Sequence, residues 1–118
     1  MAILSSHILN SIDGTHAKGI KAKLQKLISK NKKLLVLETE TDEGGRILEN
    51  LKLNNQDCLC KFELVLQTGE YFSKQNISDW NKKIVNEIVI HFTMEDPNKK
   101  YHIPIMVSPN SYSVWWSE

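Results

Sequence analysis

Lys100-Tyr101-His102-Ile103-Pro104-Ile105-Met106-Val107-Ser108-Pro109, followed by Ser111-Tyr112-Ser113-Val114-Trp115-Trp116, is the stretch whose reading decides the fold. A histidine stands at the mouth of an apolar run, a Pro-Asn-Ser turn interrupts it, and a second run follows. Two consecutive strands joined by a tight connection read this way.

The same pattern extends upstream. Ile84 to Met94 sets Ile84, Asn86, Ile88, Ile90 and Phe92 against Val85, Glu87, Val89, His91 and Thr93, a strand closed by Asp96-Pro97-Asn98. Cys58 to Gln67 reads as the longest alternating strand, ended by Thr68-Gly69, and Tyr71 to about Asn76 as a short helix. Near the start, Ala2 to Leu9 suits a strand around Ser5-Ser6-His7, and Asp13-Gly14-Thr15 a turn. Ile20, Ala22 and Leu24 alternate with Lys21, Lys23 and Gln25 in a second strand, and Ser29 to Lys33 reads as a lysine-rich loop. Leu34 to Thr41 is a third strand, with Leu35, Leu37 and Thr39 on one face. Asp42-Glu43-Gly44-Gly45 is the strongest turn, its paired glycines supplying the positive backbone angles that other residues avoid. Arg46 follows it and opens a short strand toward Leu48. Several short strands with turn signals at roughly ten-residue spacing predict an all-β sandwich or barrel.

At 118 residues the chain reads as one domain, 1–118. Its composition, 41% apolar and 25% charged, excludes disorder. No run approaches the about 18 apolar residues of a membrane span, and the N-terminus lacks the pattern of a signal peptide. The expectation is a cytoplasmic protein with no membrane partner. The net charge of +1 gives no pull toward nucleic acid. Lysines 18, 21, 23, 26, 30, 32 and 33 do cluster, and read as a solvated face rather than a phosphate-binding stripe. Cys58 and Cys60 lack the spacing and the second pair of a redox or zinc site. They read as small hydrophobes on the face of Phe62, Leu64 and Leu66.

The chain has no glycine-rich phosphate loop, no Gly-x-Ser-x-Gly elbow and no His-Glu-x-x-His. It has four histidines, His7, His16, His91 and His102, and one arginine, Arg46, against fourteen lysines. A guanidinium grips carboxylates and polar ring edges with two parallel hydrogen bonds, which lysine does not imitate. A lone arginine behind a glycine turn is therefore a candidate ligand-holding group. His7 and His102 stand as candidates beside it, whereas His16 and His91 read as structural or solvent-exposed.

Five segments resemble the 5-hydroxyisourate hydrolases, the enzymatic relatives of transthyretin. Ile3-Leu4-Ser5-Ser6-His7-Ile8-Leu9-Asn10 resembles the family's opening motif, and Thr41-Asp42-Glu43-Gly44-Gly45-Arg46 its Thr-Asp-x-Asp-Gly-Arg turn. Thr68-Gly69-Glu70-Tyr71-Phe72, Tyr101-His102-Ile103-Pro104-Ile105-Met106-Val107-Ser108 and Tyr112-Ser113 match later segments, in the right order. The resemblance implies a transthyretin-like sandwich of two four-stranded sheets with one short helix. It also implies a homotetramer (a dimer of dimers) with sites at the dimer–dimer interface, and hydrolysis of a small-molecule substrate without metal or cofactor. His7, Arg46 and His102 occupy the positions the motifs assign to the reaction. Tyr112, Trp115, Trp116, Ser117 and Glu118 fall where the family's ending lines the substrate. That ending is Tyr-Arg-Gly-Ser, and here it is Trp115-Trp116-Ser117-Glu118, while Lys100 replaces a frequent histidine. The other reading is a non-catalytic module of the same fold that binds a planar molecule or a protein.

Overall fold

The computed structural model describes residues 1–75 and 84–117. The elements are β1 (Ala2–Asn10), β2 (Lys21–Ser29), β3 (Lys32–Glu40), β4 (Arg46–Leu51), β5 (Lys61–Leu66), α1 (Thr68–Ser73), β6 (Ile88–Thr93), β7 (Lys100–Ser108) and β8 (Ser111–Val114). They form two four-stranded sheets, ordered β4-β1-β7-β8 and β3-β2-β5-β6. This is the sandwich with one short helix that the resemblance implies.

Alternation along the strands builds the core. Leu4 and Ile8 of β1 and Tyr101, Ile103, Ile105 and Val107 of β7 turn inward from one sheet. Leu24, Phe62, Leu64, Leu66 and Ile88 meet them from the other, and Tyr71 and Phe72 of α1 join the same cluster. β1 is the pivot of its sheet. It pairs antiparallel with β4, bringing His7 opposite Arg46, and parallel with β7, bringing Ser5 opposite His102.

Several boundaries differ from the sequence reading, each for a local reason. Cys58 does not lie on a strand, since Asp57–Leu59 forms a single 3₁₀ turn and β5 begins only at Lys61. Asn54 and Asp57 cross-cap this turn, each backbone N–H donating to the other's side-chain oxygen at 2.9 and 2.8 Å. Cys58 and Cys60 are free and half-buried. The expected lysine loop shrinks to Lys30-Asn31, because β2 and β3 continue as a hairpin almost to its tip. β3 is an edge strand whose Leu34, Leu35 and Val36 are all exposed, and a register shift opposite Leu24 and Gln25 disturbs the expected face. The helix starts at Thr68 rather than Tyr71, and β6 starts at Ile88 rather than Ile84. The anticipated helix end at Asn76 lies outside the described residues. Of the two turn glycines only Gly45, at φ +71°, takes a positive angle.

Four of the seven clustered lysines meet acids: Lys18–Glu43, Lys21–Glu70, Lys26–Asp57 and Lys33–Glu63 are ion pairs. That pairing fits a solvated face and not a phosphate stripe. No helix among the described residues is long and apolar enough to cross a membrane.

Candidate active site

Within β1 Ala2, Leu4, Ser6, Ile8 and Asn10 face inward, so Ser5 and His7 project from the opposite face of the β4-β1-β7-β8 sheet. The order of that sheet then decides their neighbours. Arg46 arrives from β4 on one side and His102 from β7 on the other.

The turn before Arg46 is built by Asp42. Its carboxylate accepts from the backbone N–H groups of Gly44 and Arg46, both at 2.9 Å, and its carbonyl from Gly45 at 2.9 Å. The positive φ of Gly45 lets its own carbonyl accept from Ile8 N–H at 2.7 Å, which ties the turn to β1. Arg46 therefore starts β4 directly across from His7.

His102 is anchored by Ser5, whose Oγ lies 2.8 Å from Nδ1 of the ring, leaving Nε2 unengaged by that bond. Ser5, Arg46, Leu48, Lys100 and His102 line a cavity of about 330 Å³ on this face. His7 stands beside it. Its affinity for a proton is held below the ordinary value by burial, then by the neighbouring charges of Arg46 and His16 and, last, His102; a contact with the Gly44 backbone pulls the other way. His7 is thus a neutral imidazole near pH 7, poised next to a permanent cation.

Ser5 and His16 are two members of the cluster that the sequence reading did not place there. Ser5 had a signal, since period-two alternation puts it on the face of His7. His16 had none in its own neighbourhood. It arrives because the chain folds back after Asp13-Gly14, so that His16 bridges Leu9 and its Nδ1 comes 3.0 Å from His7 Nε2.

The C-terminal residues divide. Ser117 N–H donates to the His102 carbonyl at 2.9 Å and sits opposite it in register, beside the cluster. Trp115 and Trp116 do not line the histidine–arginine cavity. They border a larger one of about 640 Å³, with Ile90, Phe92, Tyr101 and Ile103, and Trp116 has the Lys99 ammonium 5.3 Å from its ring centroid. Tyr112 is exposed on β8 opposite Val107, away from the histidines of its own chain. Glu118 lies outside the described residues. The larger cavity has no histidine or arginine in its wall. Glu95, Asp96 and Lys99 supply its charged groups, whereas the smaller cavity holds the imidazole and the guanidinium. His91 is structural: its Nε2 lies 2.9 Å from Glu63 Oε2. Among the described residues no three His, Cys, Asp or Glu side chains gather as a metal would require.

The chain is similar to known proteins over nearly its whole length. A 5-hydroxyisourate hydrolase of Halalkalibacterium halodurans is 27% identical over 112 residues, covering 95% of this chain and 94% of its own. The crystal structure of an (S)-allantoin synthase is similar with a TM-score of 0.81 at 26% identity, over 99% of this chain and 44% of that one, so this chain spans less than half of that protein. Sea bream transthyretin, crystallised with thyroxine, shares the fold with a TM-score of 0.80 at 20% identity, covering 97% and 93% of the two chains. The model of the HIUase/Transthyretin family matches residues 4–116. With its two sheets in this order and the family's pattern running nearly end to end, the chain belongs to the HIUase/Transthyretin family.

Proposed function

We propose that this protein is a cyclic-amide hydrolase that opens the ring of 5-hydroxyisourate, a step of urate degradation, with His102, Arg46 and His7 as its working residues. The observation that carries the reading is the convergence of His102 and Arg46 on one cavity, with His7 directly across the strand pair from Arg46. The family, and the name of the Halalkalibacterium relative, support the substrate.

His102 is the general base. With Nδ1–H donating to Ser5 Oγ, the lone pair of Nε2 takes a proton from water, as an imidazole does efficiently near pH 7. The water oxygen adds to the ring carbonyl, and the Arg46 guanidinium stabilises the oxyanion that forms. Collapse breaks the carbon–nitrogen bond. The nitrogen leaves with a proton returned by the imidazole system, and the acid formed ionises to a carboxylate. No step in this sequence calls for a metal or cofactor. The assembly that goes with it is a homotetramer, a dimer of dimers, in which the ending Tyr112, Trp115, Trp116, Ser117 and Glu118 shapes the substrate site across subunits. Closed two-fold symmetry lets one patch serve both partners.

The test is ultraviolet absorbance during decay of freshly generated 5-hydroxyisourate. The protein is expected to accelerate the decay, and His102→Ala and Arg46→Ala each to remove most of the acceleration. A rate equal to the spontaneous one would overturn the hydrolase and leave the binding module as the reading of this fold.

A further inference from the structure

The contact between His7 and His16 has no place in the reaction as described so far. His7 Nε2 and His16 Nδ1 are 3.0 Å apart, with ring centroids at 5.1 Å and planes inclined by 30°. At that distance one nitrogen must carry a hydrogen and the other a lone pair. Two protonated rings would set donor against donor.

His16 is held in place by its backbone rather than by chance packing. On one side Asn10 N–H donates to Thr15 O at 2.8 Å, and on the other Ala17 N–H donates to Ile8 O at 2.9 Å. The Asp13 carboxylate accepts from both the backbone N–H and the hydroxyl of Thr15, at 3.0 and 2.6 Å, which fixes the turn leading in. Asn10, fully buried, accepts from Ile12 N–H at 2.9 Å. A residue clamped on both sides presents its ring at a defined place even though the ring itself is exposed.

We propose that His16 is a positioning residue that donates its Nδ1–H to Nε2 of His7 and so fixes His7 as the Nδ1–H tautomer, a hydrogen-bond donor and not a base. This deepens the hydrolase reading and rests on it for its catalytic consequence. It divides the roles of the two site histidines: His102 takes the proton from water and returns it to the leaving ring nitrogen, while His7 keeps its own proton and stays a neutral, fixed ring beside Arg46. Arg46, His16 and His102 are the charged or titratable groups acting on His7, and no carboxylate is among them. An accepted hydrogen bond at Nε2 favours the uncharged ring, so His7 adds no charge to those of Arg46 and Lys100 on this face. The Gly44 backbone favours a protonated ring nitrogen, and with Nε2 committed to His16 that nitrogen is Nδ1.

The experiment reads tautomer and activity separately. Long-range nitrogen–proton correlation spectra of the full chain at neutral pH should show His7 as the Nδ1–H form. In His16→Ala the Nε2–H form that a free imidazole prefers should gain population, with the Gly44 contact alone opposing it. The same variant should lose about tenfold in kcat, the worth of one hydrogen bond, with the base-side pH dependence from His102 unmoved. His16→Asn, which offers an N–H near the Nδ1 position but does not ionise, should restore both tautomer and most of kcat. An Nε2–H form of His7 in the unmodified protein would overturn the proposal, as would an His16→Ala variant with unchanged tautomer and rate. Absence of hydrolysis by the unmodified protein would defeat the enzyme reading alone, because the spectra still decide what His16 does.

Discussion

Replacing Gly45 with alanine should destabilise the protein by about 3–4 kcal/mol, the sum of two effects that separate variants isolate. The first is conformational. At φ +71° an L side chain costs about 1–2 kcal/mol, because Cβ crowds the following carbonyl. The second is steric. A Cβ built on Gly45 would lie 2.4 Å from the Ile8 carbonyl oxygen and 3.0 Å from Ala17 N. Those two atoms are the acceptor and donor of one bond, Ala17 N–H to Ile8 O at 2.9 Å, and shifting the Ile8 residue also disturbs a second, Ile8 N–H to Gly45 O at 2.7 Å. Forcing them apart forfeits about 1 kcal/mol each. Gly14→Ala is the control for the first effect: its φ is +75° but nothing lies within 4 Å of the new atom, so only the conformational part should appear. Gly44→Ala is the control for neither. Its φ is not positive and its Cβ would make an ordinary 3.5 Å contact with Asp42, so it should be neutral or stabilise by up to about 1 kcal/mol. Urea unfolding curves for the three variants give the comparison. Gly45→Ala costing no more than Gly14→Ala would refute the reasoning, for it would mean that the junction of β1, the His16 turn and the Arg46 turn yields freely.

Two further outcomes are expected. Asp57→Asn should cost about 2 kcal/mol at pH 7, because it strands the half-buried Lys26 ammonium 2.6 Å away and weakens the cap on the 3₁₀ turn. The Lys26 hydrogen bond, with that from Asn54, holds the Asp57 carboxyl below its ordinary 3.8. Its contribution is therefore complete above that value and fades as pH falls through the lower folded one, so urea melts of the variant and parent should converge in acid. His7 runs in the same direction at milder pH. Burial, then Arg46, make the folded ring bind protons more weakly than the 6.5 of the unfolded chain, so stability falls as pH drops from there through the lower folded value. His7→Gln should flatten that part of the stability–pH curve, and a curve of unchanged slope would contradict it.

How much of this was legible beforehand follows from how far each interaction reaches along the chain. Strand alternation, the turns at Asp13-Gly14 and Asp42-Gly45, and the apolar run of β7 are carried by neighbouring residues, and an all-β sandwich or barrel could be read from them, while the two four-stranded sheets with one helix followed only from the family resemblance. The start of β5 could not, because Asn54 and Asp57 trade hydrogen bonds that no periodicity records, and they fold Cys58 out of the strand it resembles. The exposure of Leu34 to Val36 was likewise hidden, since a strand's own residues do not say whether it will lie at an edge.

The sequence by itself determined which chemistry the chain carries: two candidate imidazoles, one guanidinium, and family motifs around each. Only the tertiary structure decided what stands beside what. Ser5 and His102 are 97 positions apart, and they meet because β1 is inserted between β4 and β7. His16 touches His7 because a turn folds it back, while Trp115 and Trp116 border a second cavity of their own chain. Alternation is a local steric rule that fixes which face a side chain takes. Strand order is set by how two sheets bury their apolar faces together, a global balance that no single segment contains.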